Sequence, residues 1–191
     1  ASTVSRPARL RFEPLEDRHM LTVIPVAPGD ETLRAPLLTV NTNGDASNTL
    51  QLSAGSYSIS DLIEGDLLIE NSNIGVAQKT LTIVGAGQAN TFIEPGVGGW
   101  QDRIFQVIGT VGAQMTVYFQ DLTITGGSAH DGGLLGGLTS LGGGILISGA
   151  DVTLTGVGIV DNEAIGADGS AGLGGTTGNI DGGAGGDGET A

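Results

Sequence analysis

The sequence predicts an all-β chain whose short strands stack as a solenoid. Glycine is its commonest residue, 35 of 191, whereas aromatic residues make up only 4 %. Large rings therefore cannot fill a globular core, and small or β-branched side chains must pack it. Apolar runs of strand length recur along the chain, and Gly, Asn or Asp marks nearly every end. Three runs repeat one apolar/Thr alternation, each followed closely by Gly: Thr80-Leu81-Thr82-Ile83, Leu122-Thr123-Ile124-Thr125 and Val152-Thr153-Leu154-Thr155.

An alternation of period two points successive side chains to opposite faces. Leu, Ile and Val then face inward, and Thr80, Thr82, Thr123, Thr125, Thr153 and Thr155 line the outside. A unit of this size cannot bury its own apolar face, so neighbouring units must stack, giving roughly four to six coils. Irregular spacing between the repeats leaves room for loops that bulge between rungs.

Three zones follow from composition. Residues 1–40 hold five of the six prolines, which argues against any long helix there. They read as an extended leader and linker, with room for one helical turn between Glu13 and Met20 that has Pro14 in its first turn. Residues 41–165 carry the strand-like runs and form the solenoid. Residues 166–191 are Gly, Ala and Asp with almost no apolar side chains, and read as a loop or tail unable to fold alone. The tail lacks a cap, and the chain has no initiating Met, so a fragment of a longer protein is expected.

Charge narrows the partners. Residues 1–24 carry four basic groups against three acidic ones, but the rest carries three basic groups against eighteen acids, a net charge of −15. Such a surface repels phosphate backbones and anionic lipid, which excludes nucleic acid and membrane surfaces as partners. No run is long enough to insert in a membrane. The stretch Met20-Leu21-Thr22-Val23-Ile24-Pro25-Val26 is too short, and too broken by Pro25, for the apolar part of a secretory signal. With no Cys, neither disulfides nor thiolate metal sites contribute.

Three resemblances add to this. Gly142-Gly143-Gly144-Ile145, followed by a β segment and Ile159-Val160-Asp161-Asn162-Glu163-Ala164, resembles the repeats of polymorphic outer-membrane proteins, with Ile159 where that repeat prefers Phe. The upstream series, Leu52 to Tyr57, Leu81 to Gly87, Asp102-Arg103-Ile104-Phe105 and Leu122 to Gly127, is similar to exported bacterial right-handed parallel β-helix proteins. The leader Arg11-Phe12-Glu13-Pro14-Leu15-Glu16-Asp17-Arg18-His19-Met20-Leu21 resembles the LEPR-XLL-type N-terminal motif of large bacterial surface proteins. That resemblance implies surface sorting through Phe12, Glu13, Pro14, Leu15, Glu16, Asp17, Arg18, Met20 and Leu21, and hence a secreted or cell-surface location.

Candidate chemistry is sparse. Trp100 could stack on a sugar ring, with Asp102 and Arg103 beside it as a carbohydrate site; the plainer reading is a Trp covering the core and an Asp102–Arg103 ion pair ordering the loop. Lyases of the β-helix fold resemble one another in using an Arg or Lys base beside calcium-holding carboxylates, and only Lys79 and Arg103 are available in residues 41–165. Asp151 and Asp161 lie about one rung apart and could face one groove as a glycosidase pair, or be solvated turn residues. His130 has no Ser or Cys partner motif. Gly182-Gly183-Ala184-Gly185-Gly186-Asp187-Gly188-Glu189-Thr190 nearly fits a calcium-binding nonapeptide, with Asp187 and Glu189 as ligands, but it has no tandem copy. The Thr ladder is also a feature of ice-binding solenoids, but its spacing here is uneven.

The sequence thus predicts no catalytic residue and no cofactor, with calcium the one cation to test. It predicts a non-catalytic structural or adhesive module that meets other cell-surface components or polysaccharide. The alternative is a polysaccharide lyase or glycoside hydrolase built on the same fold.

Overall fold

The computed structural model describes residues 21–96, 98–130 and 140–166. The chain is a parallel β-helix. Every strand pairing between its named elements is parallel, because each turn of the coil returns to the face on which it began.

The first sheet stacks β1 (Leu21–Val26), β3 (Ser47–Leu52), β6 (Gln78–Val84), β9 (Gln114–Gln120) and β13 (Asp151–Thr155) in that order. The second stacks β2 (Gly29–Asp30), β4 (Gly55–Ile59), β7 (Thr91–Pro95), β10 (Thr123–Thr125) and β14 (Gly158–Val160). The third holds β5 (Leu67–Glu70), β8 (Phe105–Ile108) and β12 (Ile145–Ser148), and β11 (Ser128–His130) pairs with β15 (Glu163–Ile165) beside it. About three turns carry a strand on every face. In the turn before them, helix α1 (Arg34–Thr42) stands next to β5 in place of a strand.

The alternation read from the sequence sets the register. Ile24, Leu50, Ile83, Phe119 and Leu154 form one inward column of the first sheet. Tyr57, Ile93, Ile124 and Ile159 form the facing column of the second. Leu67, Phe105 and Ile145 close the third side. Leu50, Tyr57, Ile83, Ile93, Phe105, Phe119 and Ile124 are all fully buried, and the Phe105 and Phe119 rings meet at 5.1 Å. The corners are tight. A Cβ at Gly85 would lie 2.3 Å from the Asp121 carbonyl of the next turn, so only glycine fits there.

Two expectations change. The solenoid begins at Leu21 and not near residue 41: β1 pairs along its whole length with β3, and residues 21–40 belong to the coil. Their prolines do not prevent this, because Pro25 sits on an edge strand and Pro36 is the third residue of α1, where the missing N–H would have had no helical partner. Thr123 is also not on an outer face with Thr80 and Thr153. It lies in the second sheet, buried, with its hydroxyl donated to the Gln88 carbonyl at 2.8 Å.

The sorting-motif residues Phe12 to Met20 and the nonapeptide with Asp187 and Glu189 lie outside the described residues. Leu21, the last residue of the leader motif, opens β1 and is 64 % exposed.

Candidate functional site

The residues proposed for carbohydrate do not form a sugar platform. Trp100 is buried in the main core cluster, with only 6 % of its surface exposed. Its indole Nε1 has no hydrogen-bond partner among the described residues. Arg103 is buried as well, and among the described residues it forms its ion pair with Asp66, at 3.1 Å, and not with Asp102. Asp102 instead accepts the backbone N–H groups of Arg103 (2.8 Å) and Asp66 (3.2 Å). Burial, reinforced by the Asp102 charge and opposed by Arg103, raises the Asp66 pKa to about 6.

Arg34 ties the turn below into the same corner. Its Nη1 and Nη2 donate to the carbonyls of Asp66 (3.0 Å) and Gly65 (2.5 Å), while Nε pairs with Glu31 and lies 3.5 Å from Glu64. Glu31 in turn accepts the amides of Ser60 and Asp61. Gly65 has a φ of +66°, and a Cβ there would sit 2.6 Å from Asp102 Oδ2. The cluster joins three successive turns of the coil. Its charges face one another, which is the geometry of a structural knot.

Lys79, the other cation considered as a base, is fully buried at an inward position of β6. Its ammonium donates to the carbonyls of Val40 (2.6 Å), Asn41 (3.2 Å) and Asn43 (2.9 Å) at the C-terminal end of α1. Desolvation lowers its pKa, an effect that Asp45 opposes. The bound carbonyls are the negative pole of the helix, so the charge is matched where it stands.

The remaining candidates separate in space. Asp151 opens β13 in the first sheet, and Asp161 lies in the turn after β14 of the second; both are exposed. His130 does have a serine neighbour that the sequence motif did not show. Ser128 Oγ lies 3.1 Å from His130 Nε2 and 2.8 Å from Glu163 Oε1. The serine sits between the other two, however, whereas an activated nucleophile needs the histidine in the middle. Among the described residues no group of His, Asp and Glu is placed to hold a metal ion.

Asn162, from the Gly-rich repeat, has a structural task. Its side chain bonds the Ile124 and Val160 carbonyls and the Gly127 amide, all at 2.9 Å, and packs against Gly144.

One accessible surface is the outer face of the first sheet. Its middle column runs Val23, Thr49, Thr82, Tyr118, Thr153 across the five strands. The flanking columns run Leu21, Ser47, Thr80, Thr116, Asp151 and Pro25, Gln51, Val84, Gln120, Thr155. Of these fifteen positions only Asp151 is charged, in a chain with a net charge of −14. Residue by residue this face was legible, since Tyr118 alternates with inward Val117 and Phe119. Which strands share the face was not, because that depends on the register.

No protein-family profile and no curated protein matches the chain. Among solved structures it is similar to the PL6 family alginate lyase AlyGC, at 19 % identity and a TM-score of 0.47. The alignment covers 78 % of this chain and 17 % of that one, so the chain spans less than a fifth of the lyase.

Proposed function

We propose that this chain is a non-catalytic parallel β-helix module with a structural or adhesive role at a bacterial cell surface. One observation carries the reading. The only Lys and Arg residues after residue 24 are Arg34, Lys79 and Arg103, and all three are held by internal carboxylates or main-chain carbonyls. Elimination on an acidic polysaccharide needs an accessible base and cationic charge opposite the sugar carboxylate. Here the cations are spent within the fold, and the net charge of −15 on residues 25–191 repels a polyanion.

The surface location rests on the likeness of segment 11–21 to the sorting motif. Among the described residues, no helix is long and apolar enough to cross a membrane.

The test is an incubation of the purified chain with acidic and neutral polysaccharides, with and without calcium, in which released reducing ends and unsaturated products are followed. The expected outcome is no product from any substrate. Product from any of them, lost on Arg103→Ala, would replace this reading with that of a β-helix lyase.

A further inference from the structure

The outer face of the first sheet is almost free of charge, and its threonine hydroxyls are unspent. The side chains of Thr49, Thr80, Thr82, Thr116, Thr153 and Thr155 make no hydrogen bond to any described residue, and neither does the Tyr118 phenol. Several threonines elsewhere bond within the fold: Thr91 to the Ser53 carbonyl, Thr123 to that of Gln88, and Thr39 and Thr42 to helix carbonyls. The second sheet, by contrast, carries Asp30 and Glu94 on its outer side.

Tyr118 occupies the middle column, between Thr82 and Thr153, and at 36 % it is the most exposed aromatic side chain among the described residues. Parallel pairing repeats these groups about 4.8 Å apart from rung to rung and about 6.6 Å apart along each strand. The result is a grid of hydroxyl donors and acceptors around one aromatic ring.

We infer that this face is a binding surface for an uncharged polysaccharide, which Tyr118 engages by stacking and the threonine columns engage by hydrogen bonding. Charge selects the ligand class. A polyanion is repelled by the protein as a whole and finds no cation on this face, and a polycation would find only Asp151. A protein partner would need an apolar centre, but Leu21, Val23 and Pro25 all lie on β1, and Val84, half-buried on β6, is the one aliphatic residue of the face beyond it. A neutral glycan matches what is there: hydroxyls meet hydroxyls, and the apolar side of a sugar ring meets the tyrosine. The middle column spans about 19 Å over its five strands, enough to touch several successive sugars of an extended chain. The inference deepens the adhesive reading and rests on it. Its failure would leave the non-catalytic assignment untouched, because that stands on product release.

The test uses the whole chain against a neutral β-glucan, with alginate as the charged counterpart, in a sedimentation and titration assay. The wild type is expected to retain the β-glucan independently of salt and to ignore alginate. Tyr118→Ala should weaken retention about tenfold, the effect of losing a central aromatic anchor. Thr82→Asp with Thr153→Asp should abolish it, and Ser148→Asp on the third sheet should leave it intact. All variants should keep the wild-type Tm. No retention of β-glucan, retention indifferent to Tyr118→Ala, or equal loss with Ser148→Asp would each overturn the inference. A dimer in size-exclusion chromatography that the Thr82/Thr153 pair dissolves would assign the face to a second copy of the chain instead.

Discussion

The Lys79 ammonium lies 2.6 Å from the carbonyl of Val40, 39 residues earlier in the chain. It thereby locks the last turn of α1 onto the side of the coil from within. Neither partner is exposed. The charge compensates carbonyls that no helical N–H can reach, and its own desolvation is tolerated because several oxygens surround it.

Replacing Lys79 by Met keeps much of the volume but removes the donor to the Val40 carbonyl, while the Asn41 and Asn43 carbonyls keep the Ser72 amide and Asn73 Nδ2. Hydrogen bonds to a charged group contribute about 1.5–3 kcal/mol each to stability, so Lys79→Met should destabilise the chain by at least about 2 kcal/mol. Urea unfolding measures this, and far-UV circular dichroism should show loss of α1 first. A variant as stable as the wild type would remove Lys79 from this role.

The burial of Asp66 beside Asp102 predicts a pH dependence. The folded-state pKa of Asp66 is raised to about 6, above the value of about 3.9 for an unfolded chain. Between these values the folded protein holds a proton that the unfolded chain has released. Stability from this group is therefore full below about pH 4 and lost as pH rises through about 6. The Tm should fall across that window by an amount reflecting roughly 1–3 kcal/mol. Asp66→Asn should flatten the profile there, and parallel profiles for the two proteins would rule out Asp66 as its source.

How much of this was legible can be traced through particular residues. Leu81 and Ile83 inward with Thr80 and Thr82 outward needed only the alternation, because period two is a property of any strand. The partner of Arg103 was not legible. Asp66 lies 37 residues away, and nothing local says that one turn of the coil brings it back alongside. Asp102, the sequence neighbour, took the ion-pair role only on paper. Thr123 failed for a related reason, since the segment that covers it, around Gln88, comes from the preceding turn. Helix α1 was hidden by Pro36, whose place in the first helical turn removes the cost usually attached to proline. The burial of Trp100 was foreseen as one of two readings, and local sequence could not choose between them.

Trp100 offers a separate test of that burial. Its Nε1 is buried without a partner among the described residues, which costs about 1–3 kcal/mol. Trp100→Phe removes the unpaired donor and some packing volume together, so the two effects offset and the net change should stay within about 1 kcal/mol. Trp100→Ala should cost about 3–5 kcal/mol, as for a large ring lost from a core. Glycan retention should be unchanged in Trp100→Phe at the wild-type Tm; a loss of retention there would return Trp100 to the binding surface.

The inward column Ile24, Leu50, Ile83, Phe119 and Leu154 predicts a gradient of stability along the coil. Each rung of a solenoid contacts only its neighbours, so an interior residue is packed from two sides and an end residue from one. Ile83 is fully buried between Leu50 and Phe119, whereas Leu154 is 45 % exposed and lines a cavity of about 530 Å³ with Ile147 and Ile159. Ile83→Ala should therefore cost about 2–5 kcal/mol and Leu154→Ala less than half as much. Amides of β13 and β14 should exchange with solvent before those of β6 and β9, because among the described residues the β13–β14 rung has one neighbouring rung and the β6 and β9 rungs have two. Chemical denaturation of the two alanine variants, with hydrogen exchange on the wild type, decides the matter. Equal costs and uniform protection would mean that the Leu154 end of the column is covered in solution, and the gradient argument would fail.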